Sequence, residues 1–581
     1  MAATSRKPQE GSCRDRRSRL ILLGFLLVFG LILFRLERLQ IRDAAFYDAL
    51  AHDQHLLSAE IAPLRGEIFL QNGNEGMYPI AVNRAYPTVY VVPRDVEDVD
   101  ATVRLLSDVL GRDEGVIRER FADRDDPFEI IERKVEKDRA DKIVEADLPG
   151  VFVTEETFRF YPGEELASQT VGFVGAGDGK ISGRYGVEAS WEDVLAGSRG
   201  AVHQERDASG RWISTTDREY TPERNGSDLI LTIDANAQYE LERILRDRVE
   251  RHDADGASAI VLEVGTGRIL AMANVPTFDP NRYGEVSDMA HFINPVVSHN
   301  YEAGSVFKPI TMAIGIDDGK IAPSTTYVDP GVIREGGYEI MNSEEKTYGE
   351  QTMTQVLEES INTGTIFVQR QVGNKTFREY VERFGFGEET GVALPGEARG
   401  NLSNLEHLGR DIHFYTASFG QGISMTLLQL ALAYDVIANG GNLMTPHIVD
   451  ETRDSDGIEK RNEAESVRRV IAEDTAKQVR EMLASVVESG HGKNAGVEGY
   501  RVGGKTGTAQ VAKRGERGYS DEETIGTFAG LAPVDAPEFV VAVKVRNPKD
   551  VIWAESSAAP AFGEIMRFLL DYYHIEPDRN E

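Results

Sequence analysis

The order of secondary structure predicted for residues 229–273 limits the fold of this chain more than any other feature. Residues 229–233 are predicted as a strand, and a helix follows over residues 235–251. Two apolar runs, 257–263 and 268–273, flank a turn at 264–267, which is the signature of a β-hairpin. A strand, a helix and a hairpin in this order predict an α/β or α+β domain with an antiparallel sheet.

A domain boundary is predicted near residues 225–226, the Asn-Gly pair directly before that strand. The 581 residues suffice for two to four domains, and 41% hydrophobic residues are typical of a globular protein. Residues 111–225 are charged and rich in turn residues, and they contain no nucleotide loop, metal-ligand spacing or catalytic grouping. We therefore expect a non-catalytic domain over 41–225, a catalytic domain over 226–574 and a tail over 575–581.

Other local patterns place further elements on both sides of this boundary. Residues 86–93 alternate like a strand, and residues 95–110 have helical spacing that ends at Gly111. Residues 423–438 are predicted as a helix stopped by the Asn-Gly-Gly of 439–441. The charged segments 453–468 and 512–523 are predicted to be exposed hairpin loops, and residues 36–58 an amphipathic helix.

The amino end has the pattern of a membrane anchor. Six basic residues precede the apolar run 20–34: Arg6, Lys7, Arg14, Arg16, Arg17 and Arg19. By the positive-inside rule, residues 1–19 form a cytoplasmic tail, residues 20–40 a single transmembrane helix, and the rest is exported. The strictly apolar run is only about 22 Å long as a helix, so a cleaved signal peptide remains the alternative.

Composition excludes several classes of function. The net charge of −32 argues against nucleic acid as a partner, because nucleic-acid binding needs a basic stripe. A single cysteine, Cys13, cannot form a disulfide framework or a cysteine metal site. The 11 histidines show no H-E-x-x-H pattern, so no metal and no cofactor is predicted.

A hydroxyl and an amine lie three residues apart at Ser305 and Lys308. Positions i and i+3 share a helix face, so Lys308 reaches the Ser305 hydroxyl and, if neutral, can take its proton. Pro309 is tolerated only in the first turn of a helix, which places Ser305 at the helix start. The commonest structural role of a serine there is to cap the helix.

A second polar pair, Ser360 and Asn362, has a spacing that puts both side chains on one side of a turn. The hydroxyl can relay a proton to a leaving amine, and the amide can bind a peptide carbonyl. Taken alone, this pair is a polar junction between a helix and a loop.

The third pattern runs from Lys505 through Thr506 and Gly507 to Thr508. Its glycines are typical of an edge strand that another backbone approaches closely, here a substrate peptide. Lys505 is also the cation that would lower the pKa of Lys308. Residues 499–506 match the P-loop pattern, but no apolar strand precedes them and no helix follows, so the match is interpreted as coincidental.

Ser-x-x-Lys, Ser-x-Asn and Lys-Thr-Gly in this order resemble the penicillin-binding proteins and serine β-lactamases. The segments 65–68, 159–162, 172–175 and 186–188 resemble the pedestal of monofunctional class B penicillin-binding proteins, closest to the division type. The resemblance implies a multi-domain protein with one transmembrane helix, an elongated α+β pedestal and an α/β transpeptidase domain whose antiparallel sheet is flanked by helices.

The resemblance also implies a role for each catalytic residue. Ser305 would be acylated by the D-Ala-D-Ala end of a peptidoglycan stem peptide, with Lys308 as general base and Ser360 as proton shuttle. Asn362 would position the substrate. An amine of a second stem peptide would then release the acyl group and form a cross-link.

Substrate binding would involve Lys505, Thr506, Gly507 and Thr508. Lys505 and the two threonine hydroxyls would hold the terminal carboxylate, and the backbone N–H groups of Ser305 and Thr508 would form the oxyanion hole. β-Lactams would acylate the serine as substrate mimics.

The implied partners are stem peptides, lipid-linked glycan strands, a membrane glycan polymerase and divisome proteins. The implied location is the cell membrane, with the catalytic domain outside. An elongation-type transpeptidase, a D,D-carboxypeptidase or β-lactamase-like hydrolase, and a non-enzymatic division scaffold remain as alternatives.

Overall fold

The structure is a computed structural model that describes residues 12–38, 56–73, 76–177, 180–205, 219–457, 459–512 and 519–579. Most of the amphipathic helix predicted over 36–58 lies outside these residues. The chain forms two compact units. One comprises residues 1–63 and 198–224, and the other residues 64–197 and 225–581.

The strands and helices are numbered in chain order. The strands are β1 (Leu56–Ile61), β2 (Ile68–Gln71), β3 (Met77–Val91), β4 (Glu129–Glu132), β5 (Val151–Phe160), β6 (Val174–Gly177), β7 (Lys180–Gly183), β8 (Gly200–Glu205), β9 (Glu219–Thr221), β10 (Asp228–Asp234), β11 (Gly256–Glu263), β12 (Ile269–Val275), β13 (Thr326–Val328), β14 (Val332–Glu335), β15 (Tyr338–Met341), β16 (Glu350–Thr352), β17 (Asn442–Met444), β18 (Val449–Arg453), β19 (Glu459–Arg461), β20 (Ser466–Arg469), β21 (Gly503–Ala512), β22 (Tyr519–Ala532) and β23 (Phe539–Arg546). The helices are α1 (Ser12–Glu37), α2 (Val99–Leu110), α3 (Glu114–Glu119), α4 (Lys137–Glu145), α5 (Ser168–Val171), α6 (Gly186–Ser190), α7 (Glu192–Leu195), α8 (Ala235–Arg251), α9 (Pro295–Ser298), α10 (Lys308–Asp317), α11 (Met353–Glu358), α12 (Asn362–Val372), α13 (Asn374–Arg383), α14 (Asp411–Ala417), α15 (Leu427–Ala438), α16 (Glu473–Glu488) and α17 (Ala558–Tyr572).

The smaller unit contains α1 and the three-stranded sheet β1-β8-β9. Both neighbouring pairs in this sheet are antiparallel. Within the ranges described above, no helix combines the length and the apolar character that crossing a membrane requires.

A mixed sheet in the larger unit draws its strands from distant parts of the sequence. Its order is β19-β18-β10-β2-β3-β4, and β5 also pairs with β3. Strand β10 is parallel to β2 on one side and antiparallel to β18 on the other. Leu70, Leu229 and Leu231 are fully buried in its core. Residues on both sides of position 225 therefore share one sheet.

A buried ion-pair cluster lies beside this sheet. The Glu188 carboxylate is fully buried, and it accepts hydrogen bonds from Arg65 and from Arg159, both at 2.7 Å, and from the Tyr161 hydroxyl at 3.3 Å. Gly66 is required next to it, because a Cβ there would lie 1.9 Å from the Ser227 carbonyl oxygen. Three of the segments that resemble a pedestal thus meet at one carboxylate.

The second large sheet is antiparallel, with the order β12-β11-β23-β22-β21. Alternate residues of β11 face opposite sides, as a strand period of two dictates. Ala259 and Val261 pack in the core that includes α8 and α17, whereas Ile260 and Leu262 pack in the core that includes α15. The predicted antiparallel sheet flanked by helices is confirmed.

Several predicted elements are confirmed with changed ends. The hairpin of β11 and β12 and the helix α8 lie where they are predicted. Helix α15 starts four residues later than predicted, because Thr426 and Gln429 form a capping box. Helix α2 starts late because Asp98 caps it, and it ends at Gly111 in the left-handed conformation.

Candidate active site

Ser305 lies in a 3-10 turn, Gly304–Phe307, that leads directly into α10. The position before this turn is Ala303, and no side chain caps either the turn or the helix. The interpretation of Ser305 as a helix cap is therefore wrong. Ser305 instead lines a cleft.

Lys308 brings the first two sequence motifs together. Its side chain is fully buried, and Nζ donates hydrogen bonds to the Ser360 carbonyl oxygen and to Asn362 Oδ1, the latter at 2.8 Å. Nζ also lies 3.3 Å from the Ser360 hydroxyl oxygen. Burial, and then the positive charge of Lys505, hold the pKa of Lys308 well below its ordinary value. A lowered pKa favours the neutral form of this amine, and that form can accept a proton.

Ser360 has an unusual backbone conformation. It lies between α11 and α12 with a φ of 56°, in the left-handed region that a serine rarely adopts. This conformation presents both its carbonyl oxygen and its hydroxyl to Lys308. Asn362 is held in place from behind, because its Nδ2 donates to the Met341 carbonyl oxygen at 2.9 Å. Strain of this kind is typical of functional sites.

Lys505 lies on β21, which the sheet order places at the edge as predicted. Its side chain is fully buried, and Nζ donates to the Thr506 carbonyl oxygen at 3.1 Å and to Thr506 Oγ1 at 3.3 Å. Burial lowers its pKa to about 7, and the carboxylate of Glu555 offsets part of this shift. Lys505 and Thr506 lie inside a strand, whereas a P-loop would place them at the start of a helix, so the rejection of the P-loop interpretation is confirmed.

Gly507 allows β21 to lie directly against the turn that carries Ser305. A Cβ at Gly507 would lie 2.8 Å from the Ala303 carbonyl oxygen and 2.9 Å from the Val306 backbone nitrogen. Only glycine permits this approach. The next residue, Thr508, is fixed from the other side, since its Oγ1 accepts a hydrogen bond from the Ala554 backbone N–H at 3.0 Å.

These elements surround a cleft with a volume of about 1120 Å³. Five of the predicted site residues line it: Ser305, Ser360, Asn362, Thr506 and Thr508. The two buried lysines donate hydrogen bonds to residues of this lining. The arrangement combines the Ser305 side chain, the buried Lys308 amine with the Ser360 hydroxyl 3.3 Å from it, and the Lys505 amine on an edge strand. It is suited to acyl transfer onto a serine.

Sequence reasoning missed several residues of the same wall. His491 lies between two carboxylates, 3.9 Å from Glu359 and 3.4 Å from Glu555, and all three line the cleft together with Trp553. They belong to loops or helix ends outside the three motifs, and no spacing marks them. Among these residues, only Glu359 could have been proposed from the sequence, because it directly precedes Ser360.

The chain matches two protein-family models. Residues 257–567 match the penicillin binding protein transpeptidase domain, and residues 60–231 match the penicillin-binding protein dimerisation domain. The first match alone covers more than half of the chain.

Individual proteins are similar over nearly the whole chain. Stage V sporulation protein D of Bacillus subtilis is 36% identical over 576 residues, which cover 97% of this chain and 87% of that protein. Peptidoglycan D,D-transpeptidase FtsI of Escherichia coli is 30% identical over 592 residues, which cover 99% and 96%. A crystal structure of penicillin binding protein 3 from Mycobacterium tuberculosis, complexed with aztreonam, is similar with a TM-score of 0.68 and 28% identity, covering 90% of this chain and 98% of that one.

Proposed function

This chain belongs to the class B penicillin-binding proteins, and we propose that it is a peptidoglycan D,D-transpeptidase that works through an acyl-enzyme on Ser305. One observation carries the proposal. The buried Lys308 amine, whose pKa is held well below its ordinary value, contacts both Ser360 and Asn362 and lies three positions after Ser305 in the chain. The name of the Escherichia coli relative states the same activity for that protein.

Acylation begins when the Lys308 amine takes the proton of the Ser305 hydroxyl. The serine oxygen bonds to the carbonyl carbon of the penultimate D-Ala, and the backbone N–H groups of Ser305 and Thr508 hold the oxyanion. The C–N bond to the terminal D-Ala then breaks. The leaving amine receives the proton from Lys308 through the Ser360 hydroxyl, which lies 3.3 Å from Nζ.

Deacylation reverses this path with a different amine. An amine of a second stem peptide attacks the ester, loses a proton through Ser360 to Lys308, and forms the new amide bond. That proton returns to the Ser305 oxygen as the ester bond breaks. Lys505, Thr506 and Thr508 hold the substrate carboxylate, and the peptide lies along the open edge of β21 next to Gly507.

The decisive experiment compares labelling by a fluorescent penicillin in three proteins. We expect wild type to be labelled, Ser305→Ala to be unlabelled, and Ser343→Ala to be labelled like wild type, because Ser343 lines the same cleft, whereas Lys308 bonds to Ser360 and Asn362. Full labelling of Ser305→Ala would overturn the assignment. Incubation of the acyl-enzyme with an amine acceptor then separates transpeptidase from hydrolase, since a hydrolase releases the label at a rate that the amine does not change.

The cellular role is part of the proposal. We place residues 20–40 in the membrane, residues 41–225 in a pedestal and residues 226–574 in the transpeptidase domain, acting at the division septum with a membrane glycan polymerase and divisome proteins. The basic flank of residues 1–19 supports this orientation. Fractionation tests it. The full chain should sediment with membranes, and a chain that lacks residues 1–40 should not.

A further inference from the structure

A third buried lysine lies outside the described motifs. Lys544 is on β23, the central strand of the five-stranded sheet, and only 7% of it is exposed. In the part of the chain that the structure describes, burial and Arg546 account for the pKa shift of its ammonium group, and no carboxylate contributes to it. The Nζ atom instead lies 4.6 Å from the ring centroid of Tyr301. Attraction between a cation and an aromatic face is strongest where water is excluded.

The strand register places Lys544 in line with the catalytic strand. Lys544 is opposite Thr527 of β22, and Thr527 is opposite Gly507 of β21. The hydroxyls of Tyr301 and Thr527 are buried here without a hydrogen bond of normal geometry. Tyr301 thus faces the sheet with both groups: its ring lies against Lys544, and its hydroxyl lies beside that of Thr527.

The charged neighbours of Lys544 have the same sign. Burial, and then the charge of Arg546, lower its pKa to about 8, and burial, followed by the charges of Lys544 and Arg546, lowers the pKa of the nearby His299. A buried ammonium group without an opposite charge destabilises a fold. Packing alone would therefore be served better by an apolar side chain at this position.

Tyr301 begins the short segment that ends at Ser305. Its backbone exchanges two hydrogen bonds of 3.0 Å with Met425, and the Gly304 N–H donates to the Gly420 carbonyl oxygen at 3.1 Å. On the sheet side this segment meets Gly507 near Ala303, and Lys544 beneath Tyr301. The ring contact therefore contributes to where the Ser305 N–H lies relative to β21.

We propose that Lys544 is a positioning residue for acylation, which acts through the Tyr301 ring to hold the Ser305 segment against the catalytic strand. The inference rests on the proposed role of Ser305. Lys544 does not touch the substrate. It fixes the spacing between the two backbone N–H groups of the oxyanion hole, and small errors in such spacing slow catalysis strongly.

A double-mutant cycle on the full-length protein tests this role. The variants are Lys544→Met, Tyr301→Leu and the double variant, and the readouts are the second-order rate constant for acylation by a fluorescent penicillin and the melting temperature. Each single variant should acylate roughly tenfold more slowly, and the double variant should be no slower than either single one. Tyr301→Phe, which keeps the ring, and Lys544→Arg, which keeps the charge, should stay close to wild type.

The stability readout separates positioning from packing. The melting temperature of Lys544→Met should equal or exceed that of wild type, because a buried charge is removed. The inference is overturned if Lys544→Met acylates at the wild-type rate. It is also overturned if the double variant slows acylation by the product of the two single effects, or if the acylation rate and the melting temperature of Lys544→Met fall together. Absence of labelling in wild type would instead overturn the proposed function.

Discussion

Two groups of buried charges in the larger unit are built on opposite principles. Around Glu188, one carboxylate is held by Arg65 and Arg159, so the buried charges have opposite signs and direct contacts. In the cleft, Lys308 and Lys505 are both fully buried and have the same sign. Their contacts are to carbonyl, amide and hydroxyl oxygens.

The difference shows what each group contributes. A buried ion pair with direct hydrogen bonds fixes the packing of the segments that supply it, and removing one partner is costly. Two buried amines of like sign destabilise each other's charged form, which is the state of least use to a general base. Pairing thus indicates a structural role, and unpaired like charges indicate a chemical one.

Removing the amine of Lys308 should give the largest effect. Lys308→Met keeps the volume but removes the base, so acylation by a fluorescent penicillin should slow by about 10³-fold. The melting temperature should change little, because removing a buried amine offsets the loss of its hydrogen bonds to Ser360 and Asn362. A variant that loses both acylation and stability would place Lys308 with the structural charges instead.

Removing the charge of Glu188 should lower the stability of the protein without changing the acylation rate. Glu188→Gln leaves Arg159 without its carboxylate and Arg65 with Glu192 alone, so the free energy of unfolding should fall by about 3 kcal/mol in denaturant titrations. The acylation rate per folded molecule should not change. Glu192→Gln is the matched control, since Glu192 also pairs with Arg65 at 2.7 Å but is 29% exposed. Its effect should be below about 1 kcal/mol.

The pH dependence of acylation should report Lys505. With a pKa of about 7, its charged fraction falls about fivefold between pH 7 and pH 8, so capture of the penicillin carboxylate should weaken over this range. Folding lowers the pKa of Lys505 from 10.5 to about 7, so between pH 7 and pH 10.5 the unfolded chain binds more protons at this residue than the folded chain does. The free energy of unfolding that Lys505 contributes should therefore rise with pH over this range. Lys505→Arg keeps the charge and should abolish the decline of acylation. If Lys505→Arg showed the same decline of acylation between pH 7 and pH 8, the decline would have to come from another titrating group.

Relieving the backbone strain at Ser360 should have the smallest effect of these changes, and the effect should be on stability. Ser360→Ala and Ser360→Gly both lack the hydroxyl and should acylate equally slowly. Glycine accepts a φ of 56° without strain, so the glycine variant should be more stable than the alanine variant by about 1 kcal/mol. Equal stability in thermal unfolding would show that the left-handed conformation stores no strain.

The local features of the catalytic part could be predicted because they depend on neighbours in sequence. Pro309 placed the helix start, the glycines marked β21 as an edge strand, and the turn at 264–267 located the hairpin. Helix ends were less certain, since the Thr426 capping box became evident only in the structure.

Features that depend on distant contacts could not be predicted. Nothing in the residue type of Ser360 indicates a left-handed conformation, yet this conformation brings the Ser360 carbonyl oxygen to Lys308. Nor does sequence reveal that Tyr301 meets Lys544, because that contact depends on the register of three strands.

The mixed sheet has a consequence for how the chain reaches its native state. The hydrogen bond between Glu67 and Asp228 joins the starts of β2 and β10, and it links residues that are 161 positions apart in the sequence. On the other side of β10, the hydrogen bond from Thr232 to Ile448 links residues that are 216 positions apart. Contacts between residues so far apart in the sequence form late and slowly during folding. The growing chain therefore holds an incomplete sheet until most of the protein has been synthesised, and its open strand edges need protection from other chains throughout that interval.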